Sequence, residues 1–177
     1  LPIFKLNKKN YKALLCRGQA NLKINDYKNA INDFELASKS SLNDLDFYMA
    51  KLFKSMALKG AKQYEEAIKL IHETISSNNI KSSIKRLYLI QSGEVNLQLN
   101  NYDEALNDFK SALKLAANDS ERAKNLDNLS HAYVLSKKMN EAIEFKLKAN
   151  LMYEKDGLLD EYAETGISLA SLYSQIG

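Results

Sequence analysis

Four stretches of this 177-residue chain follow one pattern, and the pattern leaves little freedom in what the chain can become. Ala30, Ala67, Ala105 and Ala142 recur at intervals of 37, 38 and 37 residues. Twelve positions before each stands a small residue: Gly18, Ser55, Gly93 and Ser130. After each alanine come an apolar residue (Ile31, Ile68, Leu106, Ile143) and then an aromatic or aliphatic one (Phe34, Ile71, Phe109, Phe145). Seven residues past each alanine stand Ala37, Thr74, Ala112 and Ala149, and three before it stand Tyr27, Tyr64, Tyr102 and Met139. Self-similarity at such a period predicts stacked supersecondary units, none of which buries its apolar face alone.

The small residue and the alanine of one unit fall on two helices that approach closely, because little side chain stands between them. The alanine is expected to sit opposite the small residue, and the tyrosine to pack back over the turn. Asn25-Asp26, Asn100-Asn101, Lys137-Lys138 and the stretch from Gly60 to Gln63 read as those turns. Asparagine, aspartate and glycine tolerate or bond to left-handed backbone. One proline and six glycines leave long helices uninterrupted. The spacing predicts helices over 8–24, 27–40, 44–60, 64–77, 81–98, 102–117, 120–136, 139–155 and 159–175. Asn118 and Glu121 form a capping pair for the seventh.

The strings Gly18-Gln-Ala-Asn-Leu-Lys-Ile-Asn-Asp-Tyr-Lys-Asn-Ala-Ile-Asn-Asp-Phe34 and Gly93-Glu-Val-Asn-Leu-Gln-Leu-Asn-Asn-Tyr-Asp-Glu-Ala-Leu-Asn-Asp-Phe109 resemble tetratricopeptide repeats. The resemblance runs over residues 11–177, as repeats 11–43, 48–80, 86–118 and 123–157 and a partial repeat 163–177, with 1–10 an N-terminal extension. It implies an all-α fold, a right-handed α-α superhelix of four helical pairs plus one further helix. The chain departs from the family in lacking the first-helix tryptophan and the closing proline. Lys146 replaces the usual aromatic, with Phe145 one step early. The period exceeds the family's roughly 34 residues by about one helical turn, so lengthened helices are expected.

The stretch Ile167 to Tyr173 repeats Leu126 to Tyr133, 40 residues later. Its helix carries Ala163, Ile167, Leu169, Ala170, Leu172, Tyr173 and Ile176, apolar on more than one face. A capping helix is polar outside. The natural protein is therefore expected to continue past Gly177, or residues 159–176 to meet another chain, self-association included. With Leu1 in the place of a methionine, the chain is expected to be a processed or excised piece.

Net charge is +3 with lysine well ahead of arginine, which is no basic stripe and predicts no nucleic-acid partner. No apolar run approaches the ~20 residues of a membrane span. Cys16 cannot close an internal disulfide, which fits a reducing, cytoplasmic setting; it reads as a small, partly buried apolar residue. His72 and His131 lie in different repeats, and Ser76 stands where a zinc-protease helix would need its second histidine. The sequence predicts no catalytic residue, no metal site and no cofactor, and hence no enzyme.

In the repeats it resembles, the first helix of each pair lines a concave surface. On this chain those positions are Leu15 and Gln19, then Met49, Leu52, Phe53 and Met56, then Leu87, Ile90, Gln91 and Glu94, then Lys124, Asp127, Asn128 and His131. The first half is apolar and rich in methionine and leucine, and the second is polar. Leu1, Ile3, Phe4 and Leu6 form an apolar segment able to fill the first half. The string Leu126-Asp-Asn-Leu-Ser-His-Ala-Tyr133 is similar to repeats of kinesin light chains and of bacterial signalling regulators. That likeness implies that Asn128 pairs with a ligand backbone, since its amide both donates and accepts; Ser168 holds the matching place in the fifth repeat. The Lys–Asn–Asn–Lys–Arg set of chaperone-tail clamps finds Leu15, Gln19, Phe53, Leu87 and Gln91 at its positions, so that function is not expected. The reading is a non-catalytic scaffold for a protein or peptide. Its alternatives are an input module of a larger kinase or transcription regulator, and an assembly subunit of a multiprotein complex.

Overall fold

The computed structural model describes residues 11–77 and 79–175, and among them all regular structure is helical. Four pairs follow one another: α1 (Tyr11–Lys23) with α2 (Tyr27–Lys39), α3 (Asp44–Gly60) with α4 (Tyr64–Ile75), α5 (Ser82–Gln98) with α6 (Tyr102–Lys114), and α7 (Asp119–Leu135) with α8 (Met139–Lys155). A further helix, α9 (Leu159–Ser174), ends the described part. The extra length of the repeat resides in α3, α5, α7 and α8, each of 17 residues. The expected start of the first helix before Tyr11 and the apolar segment Leu1 to Leu6 lie outside the described residues.

The turn inside each pair is built one way. Asn25, Lys62, Asn100 and Lys137 all take φ of 60 or 61°, and Gly157 repeats the geometry between α8 and α9 at 69°. The next amide then reaches back to a carbonyl five residues earlier, as Asp26 N to Asn21 O at 2.8 Å and Asn101 N to Asn96 O at 2.9 Å. This closes the orphan carbonyls at the helix end. Tyr27 and Tyr102 each donate a phenol hydrogen bond to the turn asparagine, Asn25 at 2.7 Å and Asn100 at 2.8 Å. The tyrosine of the repeat thus ties the second helix to its turn. Entry into α7 is capped as the sequence predicts: Asn118 Oδ1 accepts from Glu121 N, and Glu121 Oε2 accepts from Ala117 N, both at 2.8 Å.

The side chain nearest Gly18 and Gly93 is the aromatic four positions after the alanine. A Cβ on either glycine would stand 2.6 Å from the ring of Phe34 or Phe109. The fourth pair carries lysine at that aromatic position, and there Ser130 Oγ donates to Ala142 O at 2.7 Å instead. The small first-helix residue is buried in all four pairs.

The chain divides into two compact units, the first ending at Gln91 and the second beginning at Ser92. In the first, Ala30, Phe34 and Ala57 form a core on which Leu15, Leu22, Ile31 and Phe53 pack. Glu35 on α2 binds Lys54 on α3 and Lys39 on its own helix, each at 2.9 Å. Tyr88 is fully buried and donates to Tyr48 O at 2.6 Å. In the second unit, Ala123, Leu126, Ala149 and Tyr153 form the core between α7 and α8. Asn150 on α8 donates to Tyr162 O on α9 at 2.7 Å.

Candidate functional site

Position within the first helix decides which predicted residues face outward. Leu15, Leu52, Ile90 and Asp127 stand three residues before the small residue. Leu15 packs against Ala30 and Phe34. Leu52 is 6% exposed and belongs to the core. Ile90 is half-buried. Asp127 accepts an ion-paired hydrogen bond from Lys146 on α8. Of these four, Leu52 is buried, so its place on the concave surface is corrected; Leu15, Ile90 and Asp127 are half-buried. Gln91 is a further correction, since it is 4% exposed and its Nε2 meets no hydrogen-bond partner among the described residues. Cys16 departs the other way and is exposed.

The remaining predicted residues reach the surface, and each unit carries its own set. In the first, Gln19, Met49, Phe53, Met56 and Leu87 are half-buried. Phe53 is held in place by stacking on Phe34, ring centroids 5.5 Å apart. The surface there is soft and apolar, the kind that methionine adapts to a partner. In the second unit Lys124 and His131 are exposed, and Glu94 and Asn128 half-buried. Lys124, Asn128 and His131 follow at intervals of four and three, so they form one stripe along α7. Ser168 and Ser171 hold the matching places on α9.

Charge in the first unit is organised beside its surface and not on it. Asp33 on α2, buried, receives Arg17 Nε at 2.9 Å and Arg17 Nη2 at 2.5 Å, with Asn21 Nδ2 at 3.0 Å. Lys39 and Lys54 hold the Glu35 carboxyl well below the usual range, at about 2. Burial pushes the phenols of Tyr11 and Tyr153 up to about 12, so both stay neutral and serve packing. No group of three or more His, Cys, Asp or Glu among the described residues is placed to hold a metal ion. Nor is any described helix long and apolar enough to cross a membrane.

Residues 88–119 match the model of the tetratricopeptide repeat. The chain folds as a tetratricopeptide-repeat protein. Solved structures of that architecture agree with it over nearly the whole chain. The apo form of RapI superposes with a TM-score of 0.76 at 14% identity, covering 94% of this chain and 64% of RapI. BtubC from P. vanneervenii gives 0.81 at 12% identity, covering 94% of this chain and 73% of that one. The Rap conjugation gene regulator of plasmid pLS20, in complex with the Phr* peptide, gives 0.73 at 16% identity, covering 99% and 53%. This tetratricopeptide-repeat chain therefore spans less than two thirds of either Rap protein. At these identities the likeness is one of fold. No curated protein matches in sequence.

Two cavities in the tetratricopeptide-repeat fold escape sequence reasoning. One, of about 420 Å³, is lined in the first unit by Asn43, Asp44, Leu45, Tyr48, Asn79, Lys81 and Ile84. The other, of about 500 Å³, lies in the second unit among Leu113, Arg122, Leu126, Lys148, Leu151 and Met152. Both are assembled where one repeat meets the next. No single motif marks them, because their residues are drawn from several helices and the turns between them.

Proposed function

We propose that the chain is a non-catalytic scaffold that binds a protein or peptide on the outward rows of its first helices, with Asn128 as the central polar contact. The observation that carries this reading is the α7 stripe of Lys124, Asn128 and His131. These side chains are wholly or partly exposed on one face, and no hydrogen bond among the described residues engages the Asn128 amide. A half-buried amide offers a donor and an acceptor to an extended backbone, and the flanking cation and imidazole set its direction. The complex of a structurally similar Rap regulator with a peptide supports the same use of the fold.

The experiment is a peptide-display selection against the chain, followed by affinity measurement on variants. Asn128→Ala should weaken selected peptides about tenfold or more, equivalent to about 1.4 kcal/mol. Phe53 is held in the core stack, so Met49→Asp is the cleaner probe of the apolar surface in the first unit. Selected peptides indifferent to both changes would remove the proposal. A second reading, an input module of a larger regulator, is favoured by the likeness to two Rap structures of which this chain spans only part. A change of peptide affinity when the neighbouring domain of a full-length protein is present or absent would support it.

A further inference from the structure

We infer that the cavity among α6, α7 and α8 is a separate binding site, for an acidic segment of a partner protein that carries large apolar side chains. The site is independent of the α7 stripe. Arg122 and Leu126 stand two residues before Lys124 and Asn128, which is about 200° around a helix. The cavity therefore opens on the other side of α7.

Three helices build it. Arg122 and Leu126 are four apart on α7, Lys148, Leu151 and Met152 are three and four apart on α8, and Leu113 comes from α6. Every wall thus belongs to the second unit. Leu126 is 6% exposed and shares a core with Ala149 and Tyr153, so it forms a fixed floor. Leu113 and Met152 pack on that core, and Leu151 stands 54% exposed.

This lining is not a by-product of the repeat. α2 and α6 coincide in register, as do α3 and α7, and α4 and α8 begin at matching places. At the six matching places the first unit carries Ser38, Phe47, Lys51, Glu73, Ser76 and Ser77, of which only Phe47 is apolar. α4 ends at Ile75, the counterpart of Asn150, whereas α8 runs on to Lys155. The extension of α8 supplies Leu151 and Met152 where the first unit has two serines.

Charge selects the partner. Asp119 accepts from Arg122 at 2.8 Å and from Lys155 at 3.3 Å, and Glu144 meets Lys148 at 2.5 Å. Three cations at the cavity thus share two carboxylates. The Arg122 and Lys148 side chains are about half exposed. Surface pairs of this kind hold weakly, so a partner's carboxylates can take the remaining donors. A small molecule in an ordinary site is buried over roughly 70–90% of its surface. Walls that leave Leu151 open to solvent do not enclose one, but a peptide covers them and makes its other contacts outside.

The probe is a displayed library of short peptides with two leucine or phenylalanine positions among aspartates and glutamates. A counter-library puts lysine in place of the acids. Binders selected on the intact chain are titrated into chain isotope-labelled at its 4 methionines, and the methyl signals are followed by NMR. The Met152 signal should shift while those of Met49 and Met56 stay in place. Leu151→Asp should weaken binding about tenfold or more, and Lys148→Glu several-fold. Leu151 is exposed, so thermal unfolding of Leu151→Asp should match the parent. Asn128→Ala should leave the affinity unchanged, which separates this site from the α7 stripe. Absence of binders from the acidic library, equal success of the lysine library, or affinity indifferent to Leu151→Asp would overturn the inference. So would shifts of Met49 and Met56 in place of Met152, or an equal Met152 shift with decanoate, which would mark a small amphipathic acid. A Met152 shift that grows with chain concentration alone would make a second copy the occupant and overturn it too.

Discussion

Lys146 Nζ donates to Asp127 Oδ1 at a register position where the first two pairs carry apolar residues, Leu15 and Phe34, then Leu52 and Ile71. A second place in the pair, twelve residues apart in sequence, changes in the opposite sense. Asn21 bonds Asp33 at 3.0 Å and Asn96 bonds Asp108 at 3.0 Å, but Tyr133 stacks on Phe145. Relative to the first pair, the fourth has exchanged its polar and apolar layers, whereas the second pair, with Leu58 and Leu70 at the second place, is apolar at both.

Asp127→Leu alone should destabilise the chain by about 1–3 kcal/mol, because Lys146 is 12% exposed and would lose its partner. Asp127→Leu with Lys146→Phe restores the layer of the first pair and should return stability to at least the parent value. Urea unfolding of the four variants of this cycle measures the coupling directly. Additive effects would show that the pair contributes nothing as a pair.

Gly93→Ala should destabilise by about 1–3 kcal/mol, despite alanine's better helix propensity, since its Cβ would stand 2.6 Å from the Phe109 ring. Phe109 is 1% exposed and has nowhere to go. Phe109→Leu in the same chain should recover part of the loss, read as a rise in melting temperature over the single Gly93→Ala variant.

Lys62 and Lys137 hold left-handed backbone at φ of 61 and 60°, which glycine adopts without penalty. Lys62→Gly and Lys137→Gly should each stabilise by about 0.5–1 kcal/mol, and together nearly additively. Asn25→Gly should gain less, because it also removes the acceptor of the Tyr27 phenol. Differential scanning calorimetry orders the three.

Glu35 has its folded-state pKa lowered to about 2 by Lys39 and Lys54, so its contribution to stability is complete above the unfolded carboxyl range. It is lost as pH falls from about 5 toward 2. Glu35→Gln should flatten the stability profile across that window and leave the profile above pH 6 parallel to the parent. The carboxylate is 36% exposed, so the change should shrink in high salt.

The sequence made the helices legible to within a few residues, since α3 and α8 begin and end where the periodicity places them. It also announced the turns, because Asn25 and Asn100 are residues that accept left-handed backbone. Lys62 and Lys137 do not announce it; only their register does. The candidate surface was legible in part. Apolar and polar patterning places Leu52 and Gln91 outward, but both are buried, a difference of helix rotation that patterning alone does not resolve. Phe145 looked misplaced by one step because a shared role was assumed for it and Phe34. Its partner is Tyr133, and that pairing lives in the three-dimensional register of two helices.

The layer exchange in the fourth pair has a consequence for how the chain finds its fold. Four similar repeats invite a second helix to dock on the wrong first helix. Were α8 to settle on α1, Lys146 would face Leu15, and Phe145 would face Asn21. Were α2 to settle on α7, Asp33 would lie against Tyr133 and Phe34 against Asp127. Each error strands a charge in an apolar layer, so polarity acts as an address that keeps the helices of the fourth pair from those of the first.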